Sequence, residues 1–577
     1  MMKRFTMILL TFSLLLSMTA CGQDTDAPAK VSAGESVQAA VPETVPEEAA
    51  KPEPVSSLED SAPEADKIPK NQLIREVPLP LCEDTQTLSM WLRSNFMDMD
   101  PIQSSFDSPI FAKAEELTNV KIDFVEVSNA SESETFNLMI AGGDYTDIIY
   151  NFAKLYTGGI DSAIENDIIV DISEYLEETP CYQSLLSSDD AVRKAATTDS
   201  GSVGAFYSIY ESTPYTTTGL TMRGDWLEEL ELDAPVTYEE FEQVLLAFKD
   251  AYDPKYPLYL PSCGTLSEIT AGYGFNYSVA GDNVAMFSLN GDKVVFSPTS
   301  DAFRDYLMMM HRWYDKGLIS RDFATDGDWM FMHGEYRSML TGGDTGLVSL
   351  GGGLYSEFTA TGLELDNNYA LVGVVNPRMD ADTPAGSTPG ARASDAIFSV
   401  SDSNKHAALA CRWCDFWYTT EGSMLAGYGI EGESYTLDAD GRPEYTDLIM
   451  HNDAYSDRSM KNMYSFNASS LVDPEKNLSG VSEDGLAAIQ VWSGDTPSET
   501  YRTLNMTTLS MTPEESTQYG IACSDALTYC LENVLRFIDG TLDLETDWDG
   551  YISDLNGMGV DNAAQIVQNA YDRYLMR

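Results

Sequence analysis

The chain has 577 residues, of which 43% are hydrophobic and 11% aromatic, enough apolar material for two or more packed lobes. It carries 92 acidic and 34 basic side chains, a formal net charge of −58. Binding to nucleic acid or to anionic lipid headgroups needs clustered Lys and Arg, so this acidic chain without basic clusters excludes a nucleic-acid-binding function.

The first residues are typical of a secretory signal. Lys3 and Arg4 precede an apolar run from Phe5 to Leu16, shorter than the roughly 20 apolar residues that a membrane-spanning helix needs. The run ends in Met18-Thr19-Ala20-Cys21-Gly22, which resembles the lipobox of bacterial lipoproteins. That resemblance implies acylation of Cys21, palmitate included, and a lipid anchor on the extracytoplasmic face of the cell membrane. An ordinary signal peptide with a chance cysteine is the alternative.

The segment after the signal is predicted to be a tether. Between Gly22 and Arg75 there is no aromatic residue, and Pro, Ala, Glu, Asp and Ser dominate. A segment so poor in large apolar groups cannot offset its ordering entropy, so we expect it to be disordered. The predicted organisation is a lipoprotein signal peptide at 1–20, an acidic tether at 21–75 and a folded module at 76–577.

The first elements of the module predict a strand-helix-strand unit. Ser108-Pro109 opens a helix through an N-cap residue followed by proline. The segment Val120–Val127 alternates apolar and polar residues, which predicts a strand. A helix around Thr135–Ala141 ends at two glycines, and Asp147–Tyr150 is predicted to be a buried strand. Strand, helix and strand at this spacing indicate a parallel sheet.

Later elements continue the α/β pattern. Thr237 and Glu240 form a capping box, and the helix that follows carries a core-facing apolar stripe. The remaining predictions are helices at Asp301–Lys316 and Asn404–Tyr418, a hairpin at Thr436–Tyr445 with an Asp-Gly turn, and a closing helix at Ala563–Tyr574. The predicted fold class is therefore α/β, with helices on both sides of mixed sheets.

Four segments, in order along the module, carry a resemblance to a known family. They are NVKIDFVEV with FNLMIAGGDYTDIIY (ending at Tyr150), LTMRGDWLEELELDAPVTYEEF (Leu220–Phe241), NKHAALACRWCDFWYTTEGSMLAGYGIEG (Asn404–Gly432) and DWDGYISDLNGMGVDNAAQIVQNAYDRY (Asp547–Tyr574). Together they resemble the extracellular solute-binding proteins of family 1.

The resemblance implies a two-lobed periplasmic binding protein type II fold, with a ligand cleft between the lobes and a closing hinge motion. Lobe 1 is expected at about 76–210 plus 390–435, and lobe 2 at about 215–385 plus 436–577. Crossings between the lobes are expected near Phe206–Met222, near Ala385–Ala396 and after Gly432.

The resemblance also implies a function. The chain is predicted to be the substrate-binding lipoprotein of an ABC transporter that captures an extracellular carbohydrate, an oligosaccharide, for import. Its expected partners are this small-molecule ligand, ABC permease subunits and the membrane through the anchor, and it is expected to be a monomer. The negative electrostatic field of the chain favours a neutral sugar over a polyanionic one. A peptide or another non-sugar solute remains the alternative ligand.

No cofactor or metal is expected. Long members of the family often carry a calcium loop after this kind of capping-box helix. Here the equivalent stretch, Lys249–Pro257, is short and lacks the Asn-Gly core, so it supplies too few of the six to eight oxygen ligands that calcium takes. The Cys411-x-x-Cys414 pair has no second pair beside it, which favours buried helical residues over a zinc or redox site.

Candidate ligand-binding residues follow from sugar chemistry. Sugars stack their C–H surfaces on aromatic rings and offer paired hydroxyls to planar polar groups. The aromatic candidates are Trp91, Tyr150, Tyr210, Tyr273, Trp329 and Trp492, for each of which a place in the hydrophobic core is the alternative. Arg223 and Arg392 are the basic candidates, and Arg223 can instead pair with Asp225.

An enzyme is the rival class, and the sequence argues against it. Its histidines, His311, His333, His406 and His451, are scattered without HExxH spacing, and neither a GxSxG elbow nor a phosphate-binding GxxxxGK[ST] loop occurs. Chance carboxylate pairs in so acidic a chain carry no weight. No catalytic residue is therefore assigned, and a secreted glycan-active enzyme or a structural lipoprotein is a minor alternative.

Overall fold

The computed structural model describes residues 73–93, 104–128, 131–156, 158–260, 264–280, 283–324, 339–387, 390–402, 405–439, 441–466, 470–497, 502–504 and 506–577. Contacts divide the chain into Met1–Ser57 and Leu58–Arg577, and every described residue belongs to the second unit. The predicted signal peptide, Cys21, nearly all of the predicted tether and Trp329 lie outside the described residues.

The strands lie at β1 Gln86–Arg93, β2 Val120–Val127, β3 Ile148–Tyr150, β4 Phe206–Tyr210, β5 Thr218–Arg223, β6 Tyr256–Leu258, β7 Ser278–Ala280, β8 Asn283–Ala285, β9 Phe287–Asn290, β10 Lys293–Phe296, β11 Thr345–Gly351, β12 Leu371–Gly373, β13 Ala393–Val400, β14 Tyr435–Leu437, β15 Pro443–Tyr445, β16 Leu471–Val472 and β17 Arg502–Thr503.

The α-helices lie at Pro109–Thr118, Glu132–Gly142, Phe152–Leu155, Ile160–Glu165, Pro180–Ser188, Asp190–Ala196, Gly224–Glu229, Tyr238–Tyr252, Ser267–Thr270, Asp301–Asp315, Gly352–Leu365, Ala407–Phe416, Thr420–Tyr428, Asp447–Met450, Asp457–Met463, Glu483–Gly494, Pro513–Ile538, Trp548–Met558 and Val560–Met576. Within the described residues, none of these helices is both long and apolar enough to cross a bilayer.

Lobe 1 is built on a six-stranded sheet in the order β16-β4-β13-β3-β1-β2. All its strands are parallel except β13, which runs antiparallel to β3 and β4. The predicted strand at 120–127 is confirmed, and β1, which the sequence pattern did not reveal, lies between it and β3. Leu88, Met90, Trp91 and Leu92 are at most 3% exposed. Because β1 is buried on both faces, its sequence lacks the alternation that marks a half-exposed strand.

Lobe 2 contains a four-stranded sheet in the order β12-β5-β11-β6 and a three-stranded sheet in the order β10-β9-β17. The capping box at its helix Tyr238–Tyr252 is confirmed, since the Thr237 side chain accepts the Glu240 N–H and the Glu240 carboxylate accepts the Thr237 N–H. Phe241, Leu245 and Phe248 on that helix are fully buried in the lobe 2 core. The capping box and the apolar stripe were therefore sufficient to predict this helix from the sequence.

Within the described residues the chain passes between the lobes at three places: 211–217 between β4 and β5, 374–392 between β12 and β13, and 473–482 between β16 and the helix Glu483–Gly494. The expected lobe 2 boundary at 436 is corrected by this topology. The described residues of segment 436–472 belong to lobe 1, because β16 pairs with β4 and because Ile449, Met460 and Tyr464 pack against Ile430.

The direction of the strands defines the edges that face the crossings. In lobe 1 the carboxyl ends of β4 and β16 and the amino end of β13 lead into or out of the crossings. In lobe 2 the amino end of β5 plays that role, and β11 ends beside it because the two strands are antiparallel. Ligands of open α/β sheets bind outside the carboxyl ends of strands, which places the candidate site between these two edges.

Candidate ligand site between the lobes

Two residues from separate parts of the sequence meet at the lobe 1 edge. The Tyr210 N–H, at the end of β4, donates to the Arg392 carbonyl at 2.8 Å. The Arg392 guanidinium donates to Asp189 Oδ2 at 2.8 Å, and Asp189 also caps the helix Asp190–Ala196 by accepting the N–H groups of Ala191 and Val192. The structure therefore brings the predicted candidates Tyr210 and Arg392 together beside the first and second crossings, but neither residue lines the interlobe cavity.

A cavity of about 310 Å³ lies between the lobes, within the size range typical of small-molecule sites. Lobe 1 lines it with Ala153, Tyr156, Gly159, Ile160, Ala195, Ala196, Thr197, Thr198, Gly204, Ala205 and Tyr207. Lobe 2 lines it with Met506, Thr508, Leu509, Ser510, Met511, Ser516, Tyr519, Gly520 and Arg577. Because both lobes contribute walls, opening the lobes would open this cavity.

The cavity wall combines aromatic rings with hydroxyl groups. Tyr156 stacks on Phe152 with ring centroids 5.0 Å apart and an interplanar angle of 19°, which orients the Tyr156 ring. Tyr519 faces Phe287 at 6.0 Å. Burial raises the pKa of Tyr207 to about 12, so its phenol stays protonated at neutral pH. An apolar wall with a few oriented polar groups is suited to a sugar or another compact polar solute.

Arg577 ties the two lobes together at the cavity. Its Nε and Nη2 donate to Asp199 Oδ1 in lobe 1 at 2.9 and 2.7 Å. Its Nη1 donates to the Thr197 carbonyl at 2.6 Å and to the Thr508 carbonyl at 2.8 Å, and Nη2 also donates to Ser510 Oγ at 2.8 Å. The guanidinium is almost fully buried and spans residues of both lobes.

A second arginine completes this interlobe cluster of Asp199, Glu515, Arg573 and Arg577. Arg573 donates to Asp199 Oδ2 at 2.6 Å and forms two bonds to the Glu515 carboxylate, at 3.1 and 2.7 Å. Burial alone would raise the pKa of Glu515, but the hydrogen bonds from Arg573 and from the Thr512 backbone outweigh it and hold that pKa below its usual range. The cluster therefore brings two guanidinium groups against two carboxyl groups.

Four of the aromatic candidates pack within single lobes, three of them buried and Tyr273 partly buried, and none lines the interlobe cavity, which corrects the expectation that they line the cleft. Trp91 packs edge-on against Phe136, and Tyr150 packs against Phe398. The Tyr273 hydroxyl donates to Met309 Sδ at 3.3 Å within a ring cluster of lobe 2.

Trp492 is the fourth of these core residues. Its indole covers Gly219, where an added Cβ would lie 2.4 Å from the ring, and its Nε1–H donates to the Leu220 carbonyl at 3.0 Å. The close approach of the indole to β5 requires the glycine.

Arg223 lies away from the candidate site, which corrects its assignment as a ligand contact. It ends β5 at the edge opposite the crossings, roughly 17 Å along the strand from Thr218. Its guanidinium forms two bonds to Asp225 and is sandwiched between the rings of Trp226 at 4.4 Å and Tyr369 at 4.6 Å. The pairing with Asp225 that the sequence left open is the one observed.

Sequence reasoning missed Tyr156, Tyr519, Asp199 and Arg577. Arg577 lies three residues beyond Tyr574, where the segment that carries the family resemblance ends, but nothing in the sequence indicates that Asp199 lies opposite it. Among the described residues, no three His, Cys, Asp or Glu side chains lie close enough together to hold a metal ion. The predicted candidate Trp329 lies outside the part of the chain that the structure describes.

Two lobes, three crossings between them and a cavity with walls from both define a two-lobed solute-binding protein. A sequence profile of the bacterial extracellular solute-binding proteins matches residues 98–424, more than half of the chain. The chain belongs to this family.

Similar proteins with curated names agree with this classification. Lipoprotein LipO of Bacillus subtilis (strain 168) is 22% identical over 59% of this chain and 66% of its own length. The polygalacturonan/rhamnogalacturonan-binding protein YtcQ of the same organism is 24% identical over 36% of this chain and 41% of its own. The fructooligosaccharide ABC transporter substrate-binding protein FusA of Streptococcus pneumoniae serotype 4 is 23% identical over 86% of this chain and 92% of its own.

Solved structures confirm the two-lobed fold. The calcium-free alginate-binding protein AlgQ2 superposes with a TM-score of 0.67 at 20% identity, covering 85% of this chain and 99% of that one. A solute-binding protein from Bifidobacterium longum infantis, described as binding HMO, superposes with a TM-score of 0.65 at 18% identity, covering 85% and 99%. At such low identity the likeness shows the fold.

Proposed function

We propose that this protein is the substrate-binding component of an ABC importer and that it captures an extracellular oligosaccharide. The observation that carries the proposal is the cavity between the lobes, whose walls come from both sides of the three crossings. A ligand held there would contact both lobes at once. The ligand would therefore stabilise the closed arrangement of the lobes by the difference between its affinities for the closed and the open arrangement.

Carbohydrate is favoured over other solutes for two reasons. The names of the similar proteins FusA and YtcQ report fructooligosaccharide and polygalacturonan binding. The cavity wall offers the oriented ring of Tyr156 together with hydroxyl groups of Thr198, Ser510 and Ser516, which suits the alternating C–H and O–H surfaces of a sugar. Transport through permease subunits follows from family membership, and binding without chemical conversion is the role we assign.

The lipid anchor is part of the same proposal. The Cys21 motif supports it, as does the name of the relative LipO. Acyl chains on Cys21 would hold a monomeric module at the outer surface of the membrane. Expression of the full chain and its Cys21→Ala variant with a clickable palmitate analogue tests this: label and membrane retention should depend on Cys21, and unchanged retention of the variant would contradict the anchor.

Thermal unfolding of the mature protein with a glycan panel and a peptide panel tests the ligand class. A ligand at a hundred times its Kd stabilises the native state by about 2.7 kcal/mol, an easily measured rise in Tm. We expect the rise with an oligosaccharide. A rise with peptides alone would identify a peptide binder, and release of shortened products from a glycan would identify an enzyme.

A matched pair of variants tests the place of binding. Tyr156→Ala removes the oriented ring from the cavity and is expected to weaken oligosaccharide binding about tenfold, within the range that stacking on aromatic rings contributes. Tyr455→Ala removes an exposed ring from lobe 1 outside the cavity and should leave the Kd unchanged. Equal effects of the two variants would place the ligand elsewhere.

A further inference from the structure

We infer that the interlobe cavity selects uncharged oligosaccharides and rejects acidic ones such as uronate chains. This inference rests on the proposed function, which it narrows to a substrate class. It separates the chain from its similar proteins AlgQ2 and YtcQ, whose names report alginate and polygalacturonan binding. The argument starts from the positive charge available to a ligand.

Arg577 is the one charged residue among the described residues that line the cavity. Its five N–H groups are all engaged by the protein. Nε–H donates to Asp199, the two Nη1–H groups donate to backbone carbonyls of Lys194, Thr197 and Thr508, and the two Nη2–H groups donate to Asp199 and Ser510. No donor of this guanidinium is left to form the forked pair that a bound carboxylate would need.

The cations beside Arg577 lie outside the cavity lining and are held by other groups, the Lys194 ammonium by the Leu575 carbonyl at 3.1 Å. Arg573 is the nearest further cation in the cluster, and it is held by Asp199 and Glu515. Two guanidinium groups thus face two carboxylates, and the formal charge of the whole chain is −58. A carboxylate entering the cavity would lose hydration without gaining a cation with free donors among the described lining residues, and it would meet the field of Asp199.

A neutral hydroxyl group is not repelled by Asp199 and needs no cation as a partner. The side-chain hydroxyls of Tyr156 and Ser516 have no hydrogen-bond partner among the described residues, so both can donate to and accept from a sugar hydroxyl. These two hydroxyl groups of the cavity wall are therefore available to a neutral sugar. The cavity is matched to a ligand that exchanges hydrogen bonds and carries no charge.

Isothermal titration calorimetry at constant ionic strength tests the inference on the mature protein. One set of ligands is neutral (fructo-, manno-, xylo- and galacto-oligosaccharides) and the other is acidic (oligogalacturonates and oligoalginates of matched length). We expect a neutral ligand to bind and the acidic ligands to bind at least tenfold more weakly or not at all.

A charge-adding variant tests the cause. Ser516→Lys places an ammonium group in the cavity wall and should strengthen binding of acidic oligosaccharides about tenfold. Thr517→Lys adds the same charge at the next, exposed position of the same helix, outside the cavity lining, and should leave selectivity unchanged. If Ser516→Lys does not fold, as judged by circular dichroism, Asp199→Asn frees guanidinium donors in the cavity and should shift selectivity in the same direction.

The outcomes separate this inference from the proposed function. Acidic ligands that bind the unaltered protein as tightly as neutral ones, or more tightly, would overturn the inference and leave oligosaccharide capture intact. Equal gains in the two lysine variants would overturn the assigned cause. Binding of neither class would overturn the proposed function and the inference together.

Discussion

Two buried arginine clusters in this protein have similar chemistry and different positions. Arg223 pairs with Asp225 and lies between two aromatic rings inside lobe 2, whereas Arg577 pairs with Asp199 across the boundary between the lobes. The Arg223 side chain is 6% exposed and the Arg577 side chain is 4% exposed. Local chemistry therefore does not distinguish an arginine inside one lobe from an arginine at the interlobe cavity.

Position in the topology makes the distinction. The contacts of Arg223 join segments of a single lobe, so they persist when the two lobes open or close. Contacts of Arg577 join lobe 1 to lobe 2, so they must break when the lobes separate. We expect substitutions in the first cluster to change the free energy of unfolding and substitutions in the second to change ligand affinity as well.

The largest effect is expected for Arg223→Ala. It removes the partner of a nearly buried carboxylate and leaves a gap between Trp226 and Tyr369, so the free energy of unfolding should fall by about 4 kcal/mol. Urea unfolding measures this change. Ligand affinity of the folded fraction should stay the same, and a large rise in Kd would place Arg223 in the binding machinery. Arg193→Ala, which removes an exposed pair with Asp190, is the control.

Arg577→Ala is expected to act on closure. It removes the central interlobe contact while Asp199 remains paired with Arg573, so stability should fall by only about 2 kcal/mol. The oligosaccharide Kd should rise about tenfold, because the closed arrangement loses support. Small-angle scattering should show a larger radius of gyration without ligand. An unchanged Kd together with an unchanged radius would contradict the role assigned to this contact.

Asp415 sharpens the comparison because it is a buried carboxyl group with no ion-pair partner among the described residues. It accepts the N–H groups of Cys181 and Tyr182 at the start of the helix Pro180–Ser188. Burial raises the pKa of Asp415 to about 7, and these hydrogen bonds only partly oppose the shift. Between about pH 4 and 7 the folded state thus binds more protons than the unfolded state, so stability falls as the pH rises.

Asp415→Asn removes this titration. The difference in the free energy of unfolding between the unaltered protein and Asp415→Asn should change by at most about 1.4 kcal/mol per pH unit from pH 4 to 7. Above pH 7 this difference should stay constant. Chemical unfolding at a series of pH values measures it. Parallel stability curves for the two proteins across that range would show that Asp415 does not titrate there.

The smallest effect is expected at an exposed pair. Lys113 and Glu116 lie one turn apart on the helix Pro109–Thr118, and the Glu116 side chain is 70% exposed. Lys113→Ala should change stability by about 0.5 kcal/mol or less, and the change should vanish in high salt. If Lys113→Ala lowered the free energy of unfolding as much as Arg223→Ala does, burial would not control the strength of these ion pairs.

Local patterns predicted much of the fold. The β2 strand alternates clearly because its outer face is exposed, and the capping box at Thr237 is a contact between residues three apart. Long-range contacts could not be predicted in this way. Trp492 suggested a ligand platform from its type alone, while the glycine it covers lies at position 219. Asp199 and Arg577 are brought together only by the assembly of the two lobes.

The start of the described chain has a mechanical consequence. Arg75 bonds to Glu211, the first residue of the first crossing, and to the Thr419 carbonyl and Ser423 hydroxyl, all on the lobe 1 side. Force applied to the chain ahead of residue 73 therefore enters lobe 1 beside the hinge and does not cross the cleft. When the chain is held at that end, lobe 1 stays in place and lobe 2 moves as the lobes open and close.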